Sequence, residues 1–300
     1  MSSLTLLQAA LKLANQTEGF QPPTNIAWRM HSQSLLEMLL AGERALIVCP
    51  EARRPELASA FDHAEICTSI TDLICPTLNL KQPEQNLRFY DIIYWEGFNK
   101  ESDFSQKASW FYDRLDRLGR LVFPAILSDE EADSAHTFVI GEIECQGGMT
   151  EANVGQKLSD AGFHGITYSL VSDLPVFIQD GIEYRFFTIS AYKGKAGVCL
   201  DQGHAVVYKG PWKQTVDDDG HTYHRGVRTA VCEKTFNLLM AEPYRGQFIP
   251  LRCYAEPKLE NSGYFDCNTP SVRDPKVTKG LLPIAGSAEE PCCADGSSCC

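Results

Sequence analysis

The feature that most constrains this fold is an alternation, from Arg44 to Tyr192, of short apolar runs with segments of helical spacing. The first run, Arg44 to Cys49, is halted by Pro50 and suits a strand buried on both faces. His63 to Ile70, Phe89 to Trp95 and Arg120 to Ala125 are further strand candidates, with Pro124 limiting pairing in the last. Pro55 to Phe61, Ser105 to Leu118 and Thr150 to Ala161 read as helices. The second is closed by Gly119; the third has Thr150 as its cap and Gly162 past its end. His164 to Val171 and Glu183 to Tyr192 are two more strands, and the short connection from Ser172 to Ile182 allows them to pair antiparallel. This order predicts an α/β fold built on a doubly wound, Rossmann-like parallel sheet.

The flanks differ in texture. Residues 1–42 read as an N-terminal helical segment, with helices over 3–15 and 26–42 separated by Gln21-Pro22-Pro23. The α/β domain is expected over 43–194. A small α+β domain follows over 195–256, with strands at Ala205 to Tyr208 and Gly246 to Leu251, a turn at Asp217 to Gly220 and a helix at Cys232 to Ala241. Over 257–300, Pro, Gly, Ser and Asn dominate, which predicts a flexible, cysteine-rich tail.

Charge and cysteine content narrow the function. The net charge of −12 argues against a general binder of nucleic acid or of anionic membranes. The N-terminus lacks a basic leader region and no apolar run is long enough to span a bilayer, so the expected location is cytoplasmic. In that reducing compartment twelve cysteines are free thiols, buried side chains or soft-metal ligands. Four of them, Cys292, Cys293, Cys299 and Cys300, form two vicinal pairs. Paired thiols on a mobile arm suit capture of a soft ion or thiol exchange.

A nucleotide-binding sheet places glycines after its first strand and an acidic residue at the end of its second. Here the first position reads Cys49 to Leu57, with two prolines, two arginines and no glycine, and Glu65 sits before the natural end of the second strand. Cys49, Glu65 and Asp91 are the candidates for cofactor contact.

The later half is more distinctive. Tyr90-Asp91-Ile92-Ile93, Leu115 to Val122, Ser128-Asp129-Glu130, Gly141 to Gly148, Tyr184-Arg185-Phe186, Ala191-Tyr192-Lys193, Cys199 to Gly210, the Asp218 to His221 turn and Val231 to Thr235 follow one another in order. The set resembles the arsenite methyltransferase family over roughly residues 85–252. Leu118 stands where that family has a glycine, and the glycine loop is degenerate. The resemblance implies methyl transfer from S-adenosylmethionine to trivalent arsenic, with Cys145 and Cys232 as thiolate ligands converging from two domains. The softness of As(III) favours thiolates over oxygen or imidazole. Cys49 and Cys67 are the nearest counterparts of the family's third functional cysteine, and Cys199 matches a position in its small domain.

Plainer readings stand beside these. Cys145 and Cys232 also suit buried apolar sites. His221 and His224 can ligate zinc, although two further ligands at finger spacing are missing. Asp217 to Asp219 suits a solvated turn, and Asp91 an ordinary packing or capping role. Three functions follow. The first is an arsenite methyltransferase-like protein that binds arsenic with a degraded cofactor site. The second is an active S-adenosylmethionine-dependent enzyme. The third is a thiol-redox or soft-metal storage protein acting through its tail. Expected partners are a trivalent arsenical or other soft metalloid and thiols such as glutathione or thioredoxin.

Overall fold

The computed structural model describes residues 43–49, 55, 65–67, 89–95, 103–140, 143–171, 175, 177–179, 181–195, 197–255, 257 and 262–284. The expected helices over 3–15 and 26–42, that over 55–61 apart from Pro55, and the tail thiols lie outside them. The chain divides into two units, Met1–Gly194 and Lys195–Cys300.

In the first unit the strands β1 (Ala45–Val48), β2 (Glu65–Cys67), β3 (Tyr90–Trp95) and β4 (Leu115–Ser128) run parallel in the order β2-β1-β3-β4. The helix α1 (Phe104–Arg114) connects β3 to β4. A hairpin of β5 (Ala132–Ile140) and β6 (Ile143–Gly148) leads to α2 (Glu151–Asp160), β7 (Phe163–Val171), β8 (Phe177–Gln179) and β9 (Ile182–Lys193). β9 lies between β4 and β7, antiparallel to both. The sheet is therefore mixed: its parallel half comes from the strands before β5, and its antiparallel half from the late strands joined by a short connection.

Side-chain alternation explains the burial. Leu46, Val48, Ile93, Trp95, Leu121, Phe123, Ile189 and Ala191 share one face and pack with Phe104, Ala108 and Phe111 of α1 and Val154 and Leu158 of α2. Ile47, Ile92 and Tyr94 alternate with them and are also buried, as parallel strands covered on both faces require. α2 starts where its cap predicts: Thr150 accepts from the Asn153 amide at 3.2 Å.

One boundary differs from expectation. The helix expected to run to Leu118 ends at Arg114, and Leu115 already pairs with Tyr90. The register then shifts, and Arg120 pairs with Ile92. Leu118 sits in this irregularity with φ of 64°, the left-handed region that an L side chain adopts at a cost. Its neighbour has no room for a side chain: a Cβ on Gly119 would lie 2.9 Å from the carbonyl oxygens of Tyr90 and Asp116.

In the second unit β10 (Ala205–Tyr208) is central, flanked antiparallel by β13 (Arg228–Ala230) and β14 (Phe248–Leu251). The hairpin of β11 (Gln214–Val216) and β12 (Thr222–His224) precedes β13, and α3 (Glu233–Leu239) follows it. Val206, Tyr208, Tyr223, Val231, Phe236, Leu239 and Phe248 form its core. Ordered structure continues past Glu256, where a flexible tail was expected. Tyr264 bridges Leu200, Val272 bridges Thr229, and α4 (Pro275–Thr278) is capped by Asp274. The cause is polar: Arg273 donates to both carboxylate oxygens of Asp201, at 2.7 and 3.1 Å, and to the carbonyl of His204 at 3.2 Å. Both ion-pair side chains are buried.

A candidate three-thiol site

Three free thiols meet in the small unit. The Sγ atoms of Cys199, Cys232 and Cys267 all lie within 4.8 Å of one another. Each comes from a different stretch of chain, and backbone pairing brings them together. The Cys199 carbonyl accepts from the Phe265 amide at 2.8 Å, which sets Cys267 beside it. The Leu200 carbonyl accepts from the Glu233 amide at 2.9 Å, which sets Cys232 on the other side. Cys232 is fully buried and is the N-cap of α3, its sulfur accepting from the Thr235 amide at 3.4 Å. Beyond Cys267, the Asp266 carboxylate closes a turn on the Asn268 amide at 2.9 Å.

The thiols differ electrically. Burial opposes ionisation of Cys199, but hydrogen bonding with Cys267 and the nearby Lys234 ammonium outweigh it and hold this thiol below its ordinary pKa. Burial, the Cys199 hydrogen bond and the Cys232 sulfur push Cys267 up. Lys234 is itself held by the Gly197 carbonyl. A cavity of about 140 Å³ opens beside the cluster, lined by Cys232, Cys267, Tyr223, His221, Asp219 and Phe265 among others. Three close sulfur donors next to an opening suit As(III) or a similar soft metalloid.

Apart from the tail thiols, the remaining cysteine candidates and the cofactor candidates belong to the first unit. Cys145 lies on β6, paired with Phe138. Cys67 ends β2, and Cys49 follows β1 as a buried thiol. The proposed cofactor contacts do not gather at one end of the sheet. Glu65 pairs with Leu46 near the start of β1, whereas Cys49 follows its end. Asp91 stands at the amino-terminal end of β3 and accepts from the Arg44 amide and guanidinium at 2.7 to 3.1 Å. That hydrogen bonding outweighs partial burial and holds its carboxyl below the ordinary value. Arg44 also pairs with Asp116, and Arg120 makes a two-pronged contact with Glu43 at 2.7 and 2.9 Å. These described residues tie β1, β3 and β4 together, and the Asp91 carboxylate is taken up by Arg44.

His221 and His224 lie three apart, His221 half-buried at the foot of β12 and His224 exposed on it. His221 meets Asp217 instead, Nδ1 to Oδ2 at 2.8 Å, and the Tyr223 hydroxyl donates to the same oxygen at 2.9 Å. Asp217 is thus a buried acceptor, not the solvated turn residue its sequence suggests. Asp219 pairs with Lys195. Asp217, Asp219 and His221 lie close enough to hold a cation, with His221 Nδ1, the Asp217 carboxylate and one Asp219 oxygen already bonded within the protein. Cys267 is the functional candidate that sequence reasoning missed.

Comparison with known proteins adds the following. Residues 195–282 match the model of a domain of unknown function, DUF8838. No curated protein matches the chain. Among solved structures, an arsenic (III) S-adenosylmethionine methyltransferase from Chlamydomonas reinhardtii is similar at 16% identity and a TM-score of 0.43, over 87% of this chain and 98% of that one. An S-adenosylmethionine-dependent methyltransferase structure from Listeria monocytogenes gives 14% identity and 0.34, over 54% and 97%. A sarcosine dimethylglycine methyltransferase structure from Galdieria sulphuraria gives 8% and 0.35, over 56% and 84%. Among the described residues no helix is long and apolar enough to cross a membrane.

Proposed function

We propose that the chain is an arsenite methyltransferase-like protein that binds trivalent arsenic, or a similar soft metalloid, through cysteine thiolates. Cys199, Cys232 and Cys267 are its ligands, and the adenosyl-cofactor site is degraded. The supporting observation is the approach of the three sulfurs to within 4.8 Å. The exchange balances without an oxidant: three thiols and As(OH)3 give a tris-thiolate arsenic and three waters. As(OH)3 is neutral near pH 7, so the acidity of the chain does not repel it. The paired tail thiols Cys292, Cys293, Cys299 and Cys300 act as a second capture site. Loss of the cofactor is supported by the glycine-free stretch from Cys49 to Leu57 and by the scatter of Cys49, Glu65 and Asp91.

The test is an arsenite titration of the reduced full chain with the four tail cysteines replaced by serine. One arsenic per chain is expected, with Cys199→Ser, Cys232→Ser and Cys267→Ser each weakening it. The resemblance implies a different pair, Cys145 with Cys232. Cys145→Ser should leave affinity unchanged; a loss there, with Cys267→Ser silent, would replace the triad by that pair. An active enzyme is the second reading, favoured by the parallel strand order β2-β1-β3-β4. Calorimetry with millimolar S-adenosylmethionine separates the two: heat of binding would overturn the loss of the cofactor.

A further inference from the structure

Cys232 is held at its sulfur by one residue acting twice. The Thr235 amide donates to Sγ at 3.4 Å, and the Thr235 Oγ1 lies 3.3 Å from the same sulfur. Lys195 fills one of the two acceptor positions of that hydroxyl. Its ammonium carries only donors and lies 2.9 Å from Thr235 Oγ1, so the hydroxyl oxygen accepts there. A sulfur that has exchanged its proton for a bond to arsenic can only accept. The single Thr235 hydroxyl proton then has the sulfur as its partner. Lys195 is anchored in turn by Asp219, on the turn that lines the cavity. Thr235 is 2% exposed and the Lys195 side chain 9%, so this chain of donors is shielded from water, where charge-assisted hydrogen bonds are strongest.

We propose that Lys195 and Thr235 are positioning residues of the metalloid site: they aim the Cys232 sulfur toward Cys199 and Cys267 and stabilise the negative charge it keeps once it binds. The inference rests on the three thiols being a metalloid site. Groups that hydrogen-bond a metal ligand fix its direction and basicity, and their loss commonly costs about 10–100-fold in affinity. Neither residue need touch the metalloid.

The experiment is an arsenite titration of the full chain, with the tail cysteines replaced by serine, followed by the near-ultraviolet absorption of the arsenic–thiolate bonds. Thr235→Val keeps the shape and the amide but removes the hydroxyl; Thr235→Ser keeps the hydroxyl. Thr235→Val should weaken binding by about 10-fold and shift the absorption band, while Thr235→Ser should restore both. Lys195→Met should weaken binding by a smaller factor and shift the band in the same direction. Thermal midpoints of the arsenic-free variants check that each folds. If Thr235→Val fails to fold, Lys195→Met carries the test. Wild-type affinity with an unmoved band in the folded variant overturns the inference and leaves the metalloid site standing. Equal weakening by Thr235→Val and Thr235→Ser also overturns it. Failure of the unsubstituted triad to bind arsenite removes the reading beneath it.

Discussion

Among the described side chains, the two units hold sulfur differently. In the sheet unit Cys49 is a small side chain buried at the end of β1. In the small unit three thiols from three chain segments meet beside a cavity. Burial does not separate these cases, because Cys232 is as buried as Cys49. Backbone pairing does. Residues 199–200 bond the 264–265 segment on one side and the start of α3 on the other, which drives side chains of like chemistry to one point. The ion pairs divide similarly. Arg44 and Asp91 are open to water, where such pairs contribute little, whereas Asp201 and Arg273 are buried and hold the segment that carries Cys267.

That contrast can be broken by substitution. Arg273→Leu leaves Asp201 buried without its cation and should destabilise the small unit by about 3–5 kcal/mol, read by urea denaturation. Arg44→Ala should do far less, and equal losses would erase the distinction. Next in size, Cys232→Ser should weaken arsenite binding on the order of 100-fold, about 2.8 kcal/mol, while Cys49→Ala should leave it unchanged. A silent Cys232→Ser would make that residue as structural as Cys49.

Leu118→Gly relieves a left-handed leucine in the sheet unit and should raise its stability by about 1 kcal/mol in thermal unfolding, without moving arsenite affinity. Finally, alkylation followed by peptide mass analysis should mark Cys199 at lower pH than Cys267. The thiolate is the nucleophile, so the thiol held below its ordinary pKa reacts first as pH rises, and the one pushed up reacts last. Reversed order would contradict the electrostatics of the cluster.

Much of the sheet is legible in the sequence because local signals agree. The run ending at Pro50 is β1, and Thr150 caps α2 where its hydroxyl and the following spacing predict. The start of β4 is less legible for a definite reason. Leu115, Leu118 and Leu121 recur every third residue, a helical spacing, yet the structure spends them on a strand with an irregular entry. Cys199 and Cys232 were readable through the resemblance. Cys267 was not, because its segment carries few apolar residues and reads as tail. What orders it is tertiary: the Asp201–Arg273 pair and the bridges to Leu200 and Thr229. An arginine and aspartate more than seventy residues apart leave no periodic signal in either stretch.

The three-sulfur site is tested most directly by X-ray absorption at the arsenic edge, on the arsenite-loaded full chain with its four tail cysteines replaced by serine. Three sulfur neighbours around arsenic are expected, falling to two sulfurs and one oxygen in Cys267→Ser. An arsenic bound mainly by oxygen, or an identical three-sulfur spectrum in Cys267→Ser, would contradict the triad.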